Sequence, residues 1–218
     1  MQAARIDPTF LAIEGVIGVG KSTLARKIAE RLDARLVLEE VEENPFLASF
    51  YKDRRRYAFS CQLFFLLSRY RQQRTLGQRD LFSTRIVCDY LFQKDRIFAA
   101  LNLDEAEMGL YEQILPLLER DLPTPDRVVY LQASVPTLLR RIERRGRSYE
   151  QGLDRAYLQE LCEGYNRFFF HYDAAPLLVV NTDSIDFVES PEDLEDLWMR
   201  IREHASGTLY YNPQGPAR

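Results

Sequence analysis

The run from Phe10 to Thr23, FLAIEGVIGVGKST, constrains this chain more than any other stretch. Apolar residues suited to a buried strand lead into Gly15-x-x-x-x-Gly20-Lys21-Ser22, and an apolar spacing suited to a helix follows. Strand, glycine-bearing loop and helix in that order make a phosphate-binding loop. The glycines let backbone N–H groups curl round an anion, a lysine brings a point charge to the β and γ oxygens, and a serine offers a hydroxyl to Mg²⁺. Nucleotide binding, with ATP as donor, is therefore assigned to Gly15, Val16, Ile17, Gly18, Val19, Gly20, Lys21, Ser22 and Thr23. Thr23 sits one place past the metal-facing hydroxyl of Ser22.

Five short apolar runs, at 10–14, 35–39, 85–89, 127–132 and 177–181, alternate with helical patterns. Nearly continuous apolar strands separated by helices predict an α/β fold of the P-loop type, with a five-stranded parallel sheet flanked by helices. Helices are expected at 22–32, 57–76, 90–101, 104–120, 135–145, 153–171 and 191–204. The longest carries Phe59, Leu63, Leu66, Leu67 and Tyr70 at helical spacing. Residues 1–205 are read as a single domain and the Gly/Pro-bearing 206–218 as a tail. A net charge of -4 leaves no basic footprint for nucleic acid over the whole chain. No window reaches the roughly 18 apolar residues of a membrane span. Cys61, Cys88 and Cys162 form no C-x-x-C pair, so a disulfide framework or zinc site is not expected and the compartment is read as cytoplasmic.

A phosphate loop leaves the reaction open, and the next motifs narrow it. None of the ten glycines has Asp three places before it and no N-K-x-D occurs, which disfavours a signalling GTPase. In an open parallel sheet the ligands lie beyond the carboxyl ends of the strands, so the first acids there are candidates for chemistry. These are Glu39 and Glu40 in LEEVEENPF and Asp89 in RIVCDY. A carboxylate at 39 or 40 is suited to accept a proton from an attacking hydroxyl. Asp89 suits Mg²⁺, directly or through water.

These residues, with CQLFFLLSRYRQ, DYLFQKDRIFA and RRGRSYEQG, resemble the deoxyribonucleoside kinases, most closely the bacterial deoxyadenosine/deoxyguanosine kinase branch. The likeness runs colinearly over roughly residues 10 to 200. It implies that the proton acceptor falls on Glu40, with Glu39 as its neighbour, and that Ser22 and Asp89 serve the metal. Tyr90 stands where an arginine is common in the family, so an arginine contact near the 5'-oxygen is expected from elsewhere, for example Arg69. The resemblance also implies that Gln62 and Asp95 meet the base with Arg69 near both, and that Tyr51 and Glu150 meet the sugar 3'-hydroxyl.

Gln62, Phe65, Leu66 and Arg69 share one helical face, and a buried amide and guanidinium need partners that a nucleobase supplies. A Gln amide pairs with adenine N1 and N6 or, rotated by half a turn, with guanine O6 and N1, so it does not separate the purines. Phe92 and Phe46 either stack on the base or pack in the core. The stretch LLRRIERRGRSYEQG places five arginines between 140 and 147. A solvated helix face, a nucleic-acid site and an Arg-rich lid over the transferring phosphoryl group all compete for it. The family pattern falls on Arg141, Arg145 and Arg147, and leaves Arg140 and Arg144 to the surface. The expected activity is ATP-dependent 5'-phosphorylation of deoxyribonucleosides, purine ones first, in nucleotide salvage. Lys21, Glu40 and the three lid arginines carry it in a homodimer. The alternatives are a thymidylate-type nucleoside monophosphate kinase and, outside kinases, a regulatory or nucleic-acid-associated ATPase.

Overall fold

The computed structural model describes residues 7–76, 85–120, 122–150 and 153–213. Its framework is one parallel sheet of β1 (Phe10–Gly15), β2 (Arg35–Val37), β3 (Ile86–Cys88), β4 (Arg127–Gln132), β5 (Leu177–Asn181) and β6 (Thr208–Tyr211), in the order β2-β3-β1-β4-β5-β6. The helices are α1 (Lys21–Leu32), α2 (Leu47–Lys52), α3 (Arg54–Leu76), α4 (Asp95–Asn102), α5 (Glu105–Glu119), α6 (Val135–Arg145), α7 (Arg155–Phe170) and α8 (Pro191–Glu203). Short 3₁₀ turns occupy Val41–Glu43, Phe92–Lys94 and Ser148–Glu150.

The apolar strand runs behave as their composition requires. Leu11, Ile13, Val128, Val129, Leu131, Leu177, Leu178 and Val180 are all inaccessible to solvent, because helices cover both faces of the sheet. Chain direction across the sheet reverses about β1, which carries the phosphate loop at its carboxyl end, so the loop opens at the crevice where such sheets bind ligands. Helix starts follow local chemistry. Asp104 Oδ1 accepts the Glu107 N–H at 2.9 Å while Glu107 Oε2 accepts the Asp104 N–H at 3.1 Å, a reciprocal cap for α5. Pro136 and Pro191 occupy first-turn positions of α6 and α8, where a missing N–H costs nothing.

The sheet has six strands where five were expected. The sixth lies inside the segment read as a tail, where Leu177, Leu178, Val179 and Val180 pair with Thr208, Leu209, Tyr210 and Tyr211. This edge strand is four residues long and largely exposed, so it carries no buried apolar run for the sequence pattern to register. The long helix also differs from its apolar stripe. Its buried residues include Gln62, Ser68, Arg69 and Gln73 beside Ala58, Cys61 and Leu66, whereas Leu67 is exposed. The inward face is polar because part of it lines a cavity.

Candidate active site

The phosphate loop is held in shape by its glycines. Gly20 has φ 106°, and a Cβ there would come within 2.9 Å of the Phe187 ring. Gly18 has φ 87°, and a Cβ would meet Ile142 of α6 at 2.7 Å, so glycine allows the arginine-bearing helix to rest against the loop. Lys21 Nζ donates to the carbonyls of Gly15 at 2.7 Å and Val16 at 3.3 Å. Burial lowers the lysine pKa, opposed first by the Glu14 carboxylate. Gly18, Val19, Gly20 and Thr23 line a hollow of about 210 Å³ together with Arg141, Arg144 and Arg145.

A second cavity of about 540 Å³ opens beside it and contains Ile17, Lys21 and Ser22 in its wall. Arg145 borders both hollows. In the wall of the larger one, Ser22 Oγ donates to Asp89 Oδ2 at 2.5 Å, and Asp89 Oδ1 accepts the backbone N–H of Glu39 at 2.7 Å. One carboxylate thus fixes the start of α1 against the chain leaving β2. The hydroxyl and carboxylate oxygens converge as a hard cation prefers. Among the described residues no group of three His, Cys, Asp or Glu side chains could hold a metal. A divalent ion there would complete its shell with water and phosphate oxygens, which is how Mg²⁺ is ordinarily held.

The two adjacent acids separate. Glu39 is gripped on Oε1 by Arg69 (Nε 2.7 Å, Nη2 2.5 Å) and on Oε2 by Lys94 Nζ at 2.7 Å. Burial alone would raise its pKa, but the two cations outweigh that and hold the carboxyl well below its ordinary range. Glu40 also reaches the cavity, yet its carboxylate accepts from Ser68 Oγ at 3.0 Å and borders a separate outer hollow. Both acids line the cavity, but Glu39 is the one fixed there by two cations, whereas Glu40, expected to be the proton acceptor, is bonded to Ser68. β2 ends at Val37, so residues 38–40 no longer alternate as a strand would and the facing of the two acids is set by the loop.

Gln62 and Arg69 stand on the wall of the larger cavity, with Phe65, Phe98 and Tyr51 beside them. Arg69 lies over Phe65, its Cζ 4.9 Å from the ring centre. Asp95 is fully buried behind that wall, paired with Arg69 Nη1, while its backbone carbonyl accepts from Gln62 Nε2 at 2.8 Å. Asp95, expected at the base, does not itself line the cavity but touches two side chains that do, Arg69 and Gln62. Phe92 is buried in a cluster with Leu66, Ala99, Tyr111 and Leu115, and Phe46 lies outside the wall, so the aromatic surface is supplied by Phe65 and Phe98 instead. Tyr90 turns away into a cluster with Phe10, Val37, Leu76 and Cys88, and its hydroxyl donates to Gln72 Oε1 at 2.9 Å.

The arginine run ends in a left-handed glycine. Gly146, at φ 69°, closes α6 with its N–H on the Ile142 carbonyl, and the chain doubles back so that Glu150 faces Arg145. Arg145 Nη2 meets Glu150 Oε1 and Oε2 at 2.6 and 2.7 Å, and Arg147 lies 3.6 Å from Glu42 and 4.0 Å from Glu150. Tyr51 stacks on Tyr149 at 6.3 Å, and Tyr51 and the buried Glu150 both line the cavity. Arg141, expected at the triphosphate, borders the smaller hollow and is also bonded to protein groups. Its terminal nitrogens donate to the carbonyls of Val19 (3.2 Å) and Thr182 (2.9 Å) and to the Thr182 hydroxyl (2.9 Å), tying α6 to the phosphate loop and to the end of β5. Arg144, expected at the surface, is exposed but borders the smaller hollow.

A phosphate loop, a hydroxyl and carboxylate suited to a metal, an adjoining cavity and an arginine that borders both hollows define a P-loop phosphotransferase. Comparison with known proteins narrows this. The deoxynucleoside kinase family profile matches residues 11–206, and the chain belongs to that family. It is 36% identical over 199 residues to the deoxyguanosine kinase of Bacillus subtilis (strain 168), covering 89% of this chain and 96% of that one. It is 32% identical over 197 residues to the deoxyadenosine/deoxycytidine kinase of the same organism, covering 87% and 89%. The deoxyadenosine kinase of M. mycoides with bound dCTP superposes with a TM-score of 0.72 at 29% identity, covering 88% of this chain and 97% of that one.

Proposed function

We propose that this protein transfers the γ-phosphoryl group of ATP to the 5'-hydroxyl of a purine deoxyribonucleoside in nucleotide salvage. The observation that carries the reading is the Glu39 carboxylate, pinned by Arg69 and Lys94 where the phosphate loop meets the larger cavity. The 5'-oxygen bonds to the γ-phosphorus, and the bond to the β,γ-bridging oxygen breaks with its electron pair leaving on ADP. The hydroxyl proton passes to Glu39. A strongly ionised carboxylate is a weak base, which suits a loose transition state in which the protein chiefly positions groups and stabilises charge.

Lys21 and Arg145 face the donor phosphates, with Arg147 next to them, and Gln62 and Arg69 meet the purine. Tyr51 and Glu150 take the 3'-hydroxyl, Tyr51 crowding C2' against a ribose. Mg²⁺ would be held by Ser22 and Asp89, and when bound it neutralises charge on the β and γ oxygens. A nucleoside monophosphate acceptor would need a guanidinium free for its phosphate, whereas Arg69 is paired with both Glu39 and Asp95. We infer a homodimer through α3 and α5, which pack together and expose Leu67, Leu110 and Leu117. A cytoplasmic setting fits the unpaired thiols of Cys61, Cys88 and Cys162.

The test is ADP release from ATP with a panel of four deoxynucleosides and their ribo counterparts. Deoxyguanosine or deoxyadenosine should give the highest turnover, and Lys21→Ala should abolish it with an unchanged circular dichroism spectrum. Turnover only with monophosphates, or ATP hydrolysis stimulated by DNA, would sink the reading.

A further inference from the structure

Lys94 closes the turn Phe92–Lys94 and is 3% exposed. Withdrawing an ammonium from water costs several kcal/mol unless anions compensate it. Glu39 Oε2 does so at 2.7 Å and Glu14 Oε2 lies at 3.9 Å. Of the two, Glu14 has less need of a cation. It already accepts N–H donors from Gly15 and Leu91, each at 2.8 Å, and the Tyr165 hydroxyl at 3.1 Å. Glu39 needs both cations, because Arg69 holds only Oε1.

The ammonium also borders the acceptor cavity beside Lys21, Ser22, Glu39 and Asp89. An ammonium carries three donors. Glu39 takes one and Glu14 draws a second, which leaves a donor for a ligand oxygen. Position 90 adds only its ring, whose centre lies 6.0 Å from the Lys94 ammonium while the ring itself is buried among Phe10, Val37, Leu76 and Cys88.

We infer that Lys94 is a positioning residue for phosphoryl transfer, fixing the second oxygen of Glu39 so that the carboxylate is aimed at the acceptor hydroxyl. This rests on the deoxynucleoside kinase reading above. With Oε1 on the guanidinium and Oε2 on the ammonium, the carboxylate plane has no freedom to rotate. Without Lys94, Glu39 would swing on Arg69 alone, and an ångström of misplacement is worth about 10²-fold in rate.

The experiment uses the full chain and the deoxynucleoside that the wild type phosphorylates best, and compares Lys94→Met, Lys94→Arg, Glu39→Gln and the Lys94→Met/Glu39→Gln pair. Lys94→Met should lower kcat about 10²-fold while KM for ATP moves by less than about threefold, and Lys94→Arg should recover most of the loss. Because the buried carboxylates could destabilise Lys94→Met, the decisive arm is the double variant. If Lys94 acts through Glu39, the pair is no slower than Glu39→Gln alone. Losses that multiply, or a Lys94→Met enzyme with unchanged kcat, would overturn the inference while leaving the kinase reading intact. A wild type with no deoxynucleoside-dependent turnover would overturn both.

Discussion

Glu39 and Glu40 differ by one position and by nearly everything else. Glu39 sits between two cations with its side chain 12% exposed, whereas Glu40 spends its carboxylate on the Ser68 hydroxyl. General-base catalysis by a positioned side chain contributes about 10²- to 10⁴-fold, so Glu39→Gln should lower kcat by an amount in that range and Glu40→Gln by less than about fivefold. Steady-state kinetics on the two purified variants decides between them, and the reverse ranking would return the role to Glu40. The sequence brought both acids to the strand end, and the family resemblance placed the proton acceptor on Glu40. A strand alternates its faces residue by residue, and that rule lapses once β2 stops at Val37. Lys94 was equally illegible. A lysine in a polar turn reads as surface, and only the tertiary meeting of that turn with β1 and the chain after β2 buries it. The phosphate loop was legible throughout, because Gly15 to Ser22 carry their chemistry in the local backbone.

At the scale of elements, α6 joins two tasks. Arg141 anchors it to the phosphate loop and the end of β5, and Gly146 turns the chain so that Arg145 and Glu150 form a bidentate pair. Removing a charge that acts mainly in the transition state lowers kcat more than it raises KM. Arg145→Ala should therefore cost about 10²- to 10³-fold in kcat with a smaller change in KM for ATP. A change confined to KM would make the helix a binding clamp. The other end of the sheet carries a pH dependence. His204 follows α8, is buried, and its Nε2 lies 3.0 Å from the Gly207 carbonyl just before β6. Burial lowers its pKa from 6.5, with nearby Arg127 adding to that and the Gly207 and Leu177 backbone opposing it. Below 6.5 the unfolded chain then binds this proton more readily than the folded one, so the group's contribution to stability falls as pH drops through that value. The melting temperature of the wild type should fall more steeply between pH 7 and 5 than that of His204→Gln. Parallel curves would assign no such role to His204. β6 itself was not legible, since its pairing partner β5 lies some thirty residues earlier and its own four residues are mostly exposed.

At the scale of the whole molecule, the larger hollow with Ser22 and Asp89 in its wall and the smaller hollow at the phosphate loop share Arg145. A deoxynucleoside triphosphate is a deoxynucleoside and a triphosphate in one covalent piece, so its base and sugar match the larger hollow while its phosphates extend toward the loop. For this chain, dATP or dGTP should inhibit competitively against the deoxynucleoside, the stronger inhibitor being the one whose base matches the preferred acceptor. Such a ligand spends its binding free energy as a single molecule and avoids part of the entropy lost when two substrates are immobilised separately, so its affinity should exceed that of the deoxynucleoside. Gln62→Ala alters the wall of the larger hollow, where we place the base, without touching the phosphate loop. It should weaken inhibition and raise KM for the deoxynucleoside together, with little change in KM for ATP. If inhibition by dATP and dGTP instead followed only the ATP concentration, and Gln62→Ala left it unchanged, the triphosphate would be acting as a donor analogue in the smaller hollow.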